Sequence, residues 1–364
     1  MRPLWIVALV LLNSSAVAQQ TPPEIPFESV PNALKIPPDM NLGEAAGVAV
    51  NSKGHVFVFT RSNSASGPAF GAAAAQLLEF GRDGTFVREI GKGLYAWSYA
   101  HAVRIDREDN IWCVDKGSDV VVKFNPESHV MMVFGRKKEA SDEAVPWTRV
   151  TPPRPPIDGF FRQPTDVTWN AQGDIFISDG YINSRIAKYD KNGDWVKSWG
   201  EFGTGPGQFN NPHNIGSDAK GNIYVADRGN LRIQVFDGDG NLLRQFKLDV
   251  PVPTGARPAI GNMPNPEAGP PQHNPGSPWA LCITPGPNQV LYVSDAFPGR
   301  IYKLDLEGHM LGVLGKAGKQ LKQFGWVHQI ACPAENELYV AEVLNWRVQK
   351  LVLHPDKGTT ASPR

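Results

Sequence analysis

One hydrophobic phrase recurs along the chain: a run of apolar residues, an acidic or hydroxyl residue, a polar turn and a second apolar run. Its copies are Val56-Phe57-Val58-Phe59-Thr60, Ile111-Trp112-Cys113-Val114-Asp115, Ile175-Phe176-Ile177-Ser178-Asp179, Ile223-Tyr224-Val225-Ala226-Asp227, Leu291-Tyr292-Val293-Ser294-Asp295 and Leu338-Tyr339-Val340-Ala341-Glu342. The second run, as in Arg185-Ile186-Ala187-Lys188-Tyr189 or Arg232-Ile233-Gln234-Val235-Phe236, leads through a glycine-containing hairpin such as Lys191-Asn192-Gly193 to another strand. A further short strand with its own hairpin precedes each phrase, as in Asn214-Ile215-Gly216-Ser217 before Asp218-Ala219-Lys220-Gly221-Asn222. Four antiparallel strands per repeat, repeated about an axis, make the blades of a β-propeller, whose radial packing protects the sheet edges. Stacked solenoids of similar period are built with helices or parallel strands, and no amphipathic helix shows here. The pattern predicts an all-β chain folded as one six-bladed β-propeller over residues 44–354.

Two proline-rich stretches interrupt the rhythm, Arg136 to Ile157 and Val250 to Ser277, and these are expected to be irregular loops. Residues 19–43 are also proline-rich and are expected to be extended, wrapping the propeller or helping to close it. Residues 355–364 form a tail. At the start, Arg2, the apolar run Leu4 to Leu12 and Ser14-Ser15-Ala16-Val17-Ala18 have the layout of a secretory signal peptide, 1–18, cleaved after Ala18. The run is about half of the ~20 residues that span a bilayer, so the mature protein is expected to be secreted or periplasmic, without an integral membrane segment, and monomeric. Lys and Arg number 36 against 36 Asp and Glu, with no long basic run, which argues against nucleic acid as a partner. Three scattered cysteines, Cys113, Cys282 and Cys332, make no disulfide framework. They are expected to be buried strand residues acting as small apolar groups, with a Cys282–Cys332 bridge as the alternative.

Aligning the copies on the acidic residue exposes a second column fourteen positions upstream. His101 precedes Asp115, His213 precedes Asp227 and His328 precedes Glu342 at that spacing, while Ala46, Thr165 and, after a two-residue insertion, Trp279 fill the other three copies. Histidine therefore occupies alternate blades. The column stands at the start of each innermost strand, where equivalent residues converge on the central channel, so three imidazoles should surround the axis. A lone histidine at a strand start is ordinarily solvated or hydrogen-bonded, but three of eight sharing one alternating register suggest a divalent metal site. Three histidines with an open fourth position suit catalytic zinc, and imidazole also suits iron, copper or nickel. Neutral ligands leave such a metal strongly Lewis acidic.

Because the innermost strand and its neighbour are antiparallel, residues just after the acidic column must crowd the same mouth. Arg61 and Arg228 stand there, with Tyr181 one position further on in the third copy, and both long inserts emerge on that side. An arginine after a strand is ordinarily an ion-pair partner and a turn tyrosine ordinarily packs. Convergence on the metal's face makes all three candidates for catalysis.

The segment Gln163-Pro164-Thr165-Asp166-Val167, the motif Asp179-Gly180-Tyr181-Ile182-Asn183-Ser184-Arg185, then Trp199-Gly200, Pro206-Gly207-Gln208-Phe209, Pro212-His213 and Ala226-Asp227-Arg228 resemble peptidyl-α-hydroxyglycine α-amidating lyase, an enzyme of the NHL-repeat propellers. The resemblance is strong from about 160 to 240 and thinner, but in register, from 44 to 352. It implies zinc on His101, His213 and His328, a catalytic tyrosine at Tyr181 and active-site arginines at Arg61 and Arg228. It further implies a peptide substrate ending in α-hydroxyglycine, cleaved to a peptide amide and glyoxylate. Where the lyases follow the third histidine with an aspartate that helps to hold a structural calcium, this chain has Gln329, which puts calcium in doubt, although the carbonyls of Val48 and Val103 could still offer oxygen ligands. Ile182 and Val235 replace the disulfide cysteines of the animal enzymes, Trp326 replaces a methionine, and no companion monooxygenase domain accompanies the repeat. The alternatives to a metal-dependent lyase of this kind are a related lyase or hydrolase acting on another small hydroxy acid or amide, and a catalytically silent exported propeller that binds peptides or a protein partner.

Overall fold

The computed structural model describes residues 22–62, 75–138, 149–151 and 153–354. The proposed signal peptide, the tail and part of the first insert lie outside the described residues. Among those described, no helix is long and apolar enough to cross a membrane.

Six four-stranded antiparallel sheets form a six-bladed propeller. The blades begin with the innermost strands Glu44–Val50, Ala100–Ile105, Asp166–Trp169, Pro212–Ser217, Ala280–Ile283 and Val327–Ala334. Each recurring phrase is the second strand. Its burial is continuous in Ile111–Asp115, Ile175–Asp179 and Ile223–Asp227, because neighbouring blades cover both faces, and a strand covered on both faces loses the alternation of a half-exposed one. Fourth strands such as Trp195–Trp199 and Leu242–Phe246 keep only intermittent burial. The core therefore lies between blades: Trp112, Val114 and Phe134 of the second pack on Ile175, Ile177 and Tyr189 of the third.

The hairpins share one chemistry. Asn51, Asp106, Asn170 and Asp218 each turn a side-chain oxygen onto backbone N–H groups two and four residues on, and Asp190, Asp237 and Asp305 do so in outer hairpins.

The acidic column has a structural task as well. Asp115 accepts from the backbone N–H of Ser98 and Tyr99, Asp179 from Arg162, Asp227 from Asn210 and Glu342 from Gly325, so each carboxylate grips the loop that enters its own innermost strand. Asp179 also binds Asn183 and Arg185, as Asp227 binds Asn230 and Arg232 and Glu342 binds Asn345 and Arg347.

Two features sharpen the sequence expectation. The segment before residue 44 takes the closing role expected of it: Phe27–Val30 is the outermost strand of the sixth blade, paired antiparallel with Arg347–Leu353, and Ser29 Oγ donates to Gln349 at 2.6 Å. Glu24 bridges to Val313 in the fifth blade and Lys35 to Thr85 in the first, so this segment closes the ring. Second, Cys282 and Cys332 are bonded, with Cα atoms 6.1 Å apart, while Cys113 is free and buried. The bond joins the innermost strands of the fifth and sixth blades, which the repeat places side by side. In the chain-entropy account a crosslink over 50 residues stabilises by roughly 4 kcal/mol. The Cys282→Ser/Cys332→Ser double variant should thus unfold at clearly lower denaturant than the oxidised wild type. Coincident curves would remove this stabilising role.

Candidate metal centre

The histidine column is built by a bond between blades. His101 Nδ1 lies 2.5 Å from the carbonyl oxygen of Thr165, His213 Nδ1 2.6 Å from that of Trp279 and His328 Nδ1 2.8 Å from that of Ala46. Thr165, Trp279 and Ala46 are the non-histidine members of the same column, each in the next blade round. A carbonyl only accepts, so each Nδ1 carries the proton and each Nε2 presents a lone pair. This is the arrangement that orients metal-bound imidazoles.

The three rings form a near-equilateral triangle, with centroids 4.6, 4.8 and 4.9 Å apart, and their candidate ligand atoms lie within 4.8 Å of one another. All three are buried. Burial, followed by one another's charge and that of nearby cations, holds His101 well below the ordinary histidine pKa, and burial is the first cause for His213 and His328 too. They are therefore neutral at neutral pH. Among the described residues, His213 Nε2 is buried without a hydrogen-bond partner. Converging, deprotonated and in one case unpaired acceptors fit a divalent cation and suit the nitrogen preference of zinc.

Calcium does not fit beneath them. Gln329 Oε1 accepts from the backbone N–H of Val48 at 3.1 Å and of Val103 at 3.0 Å, and its Nε2 donates to Val103 O at 2.9 Å. The amide thus consumes one of the carbonyls that a calcium ion would need. Gly47 makes room for it, since a Cβ there would stand 2.7 Å from Gln329 Oε1 and 2.8 Å from Val103 N. In the same layer Asp166 is neutralised by Arg104, at 3.0 and 2.5 Å, and Asn214 Oδ1 accepts from Leu281 N. Amides and one ion pair thus form a polar plug in the layer next to the histidines.

Tyr181 lies at the mouth, its hydroxyl 3.2 Å from His101 Nε2. Its turn needs Gly180, because a Cβ there would meet Pro212 O at 2.0 Å. Lys116 Nζ is 3.6 Å above the phenol ring, and Arg228, itself buried, hydrogen-bonds Tyr181 and lies 4.4 Å over Trp279. Burial opposes ionisation of Tyr181, but Lys116, Arg228 and Arg61 together outweigh it and hold its pKa below that of an ordinary phenol. Arg61 donates to Ala100 O at 2.9 Å, pairs with Glu44 at 2.6 Å and covers the Tyr99 ring at 4.0 Å. The first insert reaches the site through Arg149, which donates to Tyr181 O and to Ser184 Oγ.

Lys116 escaped the sequence analysis although it stands directly after Asp115, in the register that singled out Arg61 and Arg228. His273 escaped it because it belongs to an insert with no register, yet it packs 4.9 Å from Trp326 beside the triad.

An NHL repeat model matches residues 209–236. The chain is 30% identical over 62% of its length to mouse peptidyl-glycine alpha-amidating monooxygenase and 26% identical over 86% of its length to Drosophila melanogaster peptidyl-alpha-hydroxyglycine alpha-amidating lyase 1. It is also 31% identical over 56% of its length to human NHL repeat-containing protein 3. These matches cover 25%, 58% and 54% of the respective relatives, so the chain spans about a quarter of the monooxygenase it resembles. A streptogramin B lyase structure superimposes with a TM-score of 0.53 at 14% identity, covering 91% of this chain and 98% of that one; this likeness concerns the fold alone. The resemblance carried by the Asp179–Arg185 motif is thus one to amidating enzymes at modest identity.

His213→Ala should abolish stoichiometric metal binding, measured by elemental analysis of purified protein, with the β-sheet circular dichroism unchanged. Unchanged metal content would refute the site. Gln329→Leu should cost roughly 1–3 kcal/mol for each backbone group it leaves unpaired, read as a lowered unfolding midpoint without calcium dependence. A midpoint raised by added calcium in the wild type would overturn the plug.

Proposed function

We propose that the protein is a metal-dependent carbon–nitrogen lyase that cleaves a peptidyl or N-acyl α-hydroxyglycine to the amide and glyoxylate. The observation that carries this reading is the Tyr181 phenol at the mouth of the histidine triad, in hydrogen-bond contact with His101 and covered by two cations. His101, His213 and His328 would hold zinc or another divalent transition metal, which when bound supplies Lewis acidity toward an oxygen of the substrate. Similarity to the amidating lyases and monooxygenases supports the reaction class.

The residues of the chain divide the remaining work. The substrate R-CO-NH-CH(OH)-COO⁻ must lose the hydroxyl proton while its C–N bond breaks. Tyr181, held towards tyrosinate by Lys116 and Arg228, takes that proton. The O–H electrons become the second bond of the glyoxylate carbonyl, and the C–N pair leaves on nitrogen. Tyr181 then returns the proton to that nitrogen, which completes the amide and restores the base. Arg61 pairs with the substrate carboxylate and Arg228 steadies Tyr181. Lys116, Arg61 and Arg228 make the mouth cationic, as an anionic substrate requires. The protein would act as a monomer on a peptide or small acyl substrate outside the cytoplasm, where the Cys282–Cys332 bond would persist.

Metal-loaded protein should release glyoxylate from an N-acyl-α-hydroxyglycine. Tyr181→Phe should keep its metal and fold while kcat falls by about 10²–10⁴, with a smaller effect on KM. Arg61→Ala should weaken substrates that bear the carboxylate more than an uncharged analogue. Full turnover in Tyr181→Phe would remove the base, and absence of glyoxylate from the wild type would leave the peptide-binding propeller as the better reading.

A further inference from the structure

One wall of the mouth is aromatic. The Trp279 ring lies 5.6 Å from His213 and 6.3 Å from His328, Trp326 lies 5.1 Å from Trp279, and His273 is 4.9 Å from Trp326 and stacked on Trp279 at 22°. Trp279 is fixed by its Nε1–H, which donates to Gln272 O at 2.7 Å in the short turn Pro271–His273. Trp326 is held at a φ of 54°, a left-handed conformation that bulky residues seldom adopt. Its neighbours enforce it: Gly325 N–H donates to Glu342 at 2.7 Å and Val343 N–H to Trp326 O at 3.2 Å. Gln163 and Asn211, at the same position of the third and fourth blades, share this conformation at φ 62° and 66°, so the turn belongs to the repeat, and what sets the sixth blade apart is the indole that the turn carries beside the triad.

Beyond this wall opens a cleft of about 230 Å³ whose described lining residues include Ile260, Met263, His273, Phe297 and Trp326 and no charged side chain. Ile260 and Met263 are large apolar residues left 57% and 54% exposed at its rim. Burial first, then the charge of Arg228, keeps His273 below its ordinary pKa, so it too is uncharged at neutral pH. The cleft thus lies near a cationic, metal-binding mouth yet is lined mainly by apolar and aromatic side chains, with Asn262 and Asn265 as its amides. A substrate anchored by its carboxylate at Arg61 must direct its acyl side elsewhere, and Trp279 packs between His213 of the triad and Trp326, which lines the cleft.

We propose that the cleft is the acyl subsite and selects a large apolar, above all aromatic, group on the amide side of the scissile hydroxyglycine. The proposal rests on the lyase reading and names its substrate class. A ring there stacks against Trp326 and displaces water from the Ile260–Met263 rim.

The test compares kcat/KM for N-benzoyl- and N-acetyl-α-hydroxyglycine, with calorimetric binding of the uncleavable N-benzoylglycine and N-acetylglycine. The aromatic member of each pair should be favoured by roughly 10- to 100-fold, the scale on which an apolar pocket discriminates. Trp326→Ala should erase that preference by lowering the benzoyl compounds far more than the acetyl ones. Met263→Ser, at the exposed rim, should reduce it in the same direction and covers the case in which Trp326→Ala does not fold. Equal treatment of the two acyl groups by the wild type, or an equal loss for both in the variants, overturns the subsite and leaves the lyase reading standing. If neither hydroxyglycine is cleaved, the lyase reading falls. The binding pair still decides the cleft: tighter benzoylglycine, lost in Trp326→Ala, supports it, and equal affinities overturn it.

Discussion

Three hydrogen bonds around the bore, each from a histidine Nδ1–H to a carbonyl of the following blade, are the constraint on which the rest of the structure depends. They hold the column in register, since each histidine donates to the backbone carbonyl of the residue at the same position in the next blade, Thr165, Trp279 or Ala46. They also fix chemistry, because a proton committed to Nδ1 leaves Nε2 as an acceptor on the axis. And they are clasps between blades, joining second to third, fourth to fifth and sixth to first. The last of these, with the Phe27–Val30 strand and the Gln329 amide, secures the junction at which the ring must close.

What was legible in the sequence follows from this geometry. The phrase is visible because second strands are covered on both faces and so read as unbroken apolar runs. The histidine register is visible because the three histidine-bearing blades, like the first and third, spend the same number of residues between the bore and the acidic column, the fifth alone having two more. Arg61, Arg228 and Tyr181 follow from antiparallel pairing, and the structure gathers them at the mouth, although Arg61 is partly engaged by Glu44. Lys116 was equally readable from the Asp115 register, and its omission reflects a search confined to arginine and tyrosine. His273, Trp279 and Trp326 form one wall only because an irregular insert folds back on two blades, which no periodicity encodes. The Cys282–Cys332 bond needed the knowledge that fifth and sixth innermost strands are neighbours whose cysteines face each other, a matter of side-chain direction rather than spacing.

The electrostatics of the mouth rest on a division of labour between acids and bases. A fold with five carboxylates in one column could have surrounded its axis with negative charge. Instead Asp115, Asp179, Asp227, Asp295 and Glu342 are all buried and turned onto backbone N–H groups of the loops behind the mouth, at a cost evident where burial pushes Asp179 and Asp295 up to about 6. The residue after this column faces the mouth, and in the first, second and fourth blades it is a cation: Arg61 after the hydroxyl residue Thr60, Lys116 after Asp115 and Arg228 after Asp227. The same two-residue step therefore anchors a loop with its first member and charges the mouth with its second. The phenol of Tyr181 sits where these cations converge, and the field that favours its ionisation is produced by the register that builds the blades. Chemistry at this site is thus not an ornament on the repeat. It is what the repeat leaves on the surface once its acids have been spent on folding.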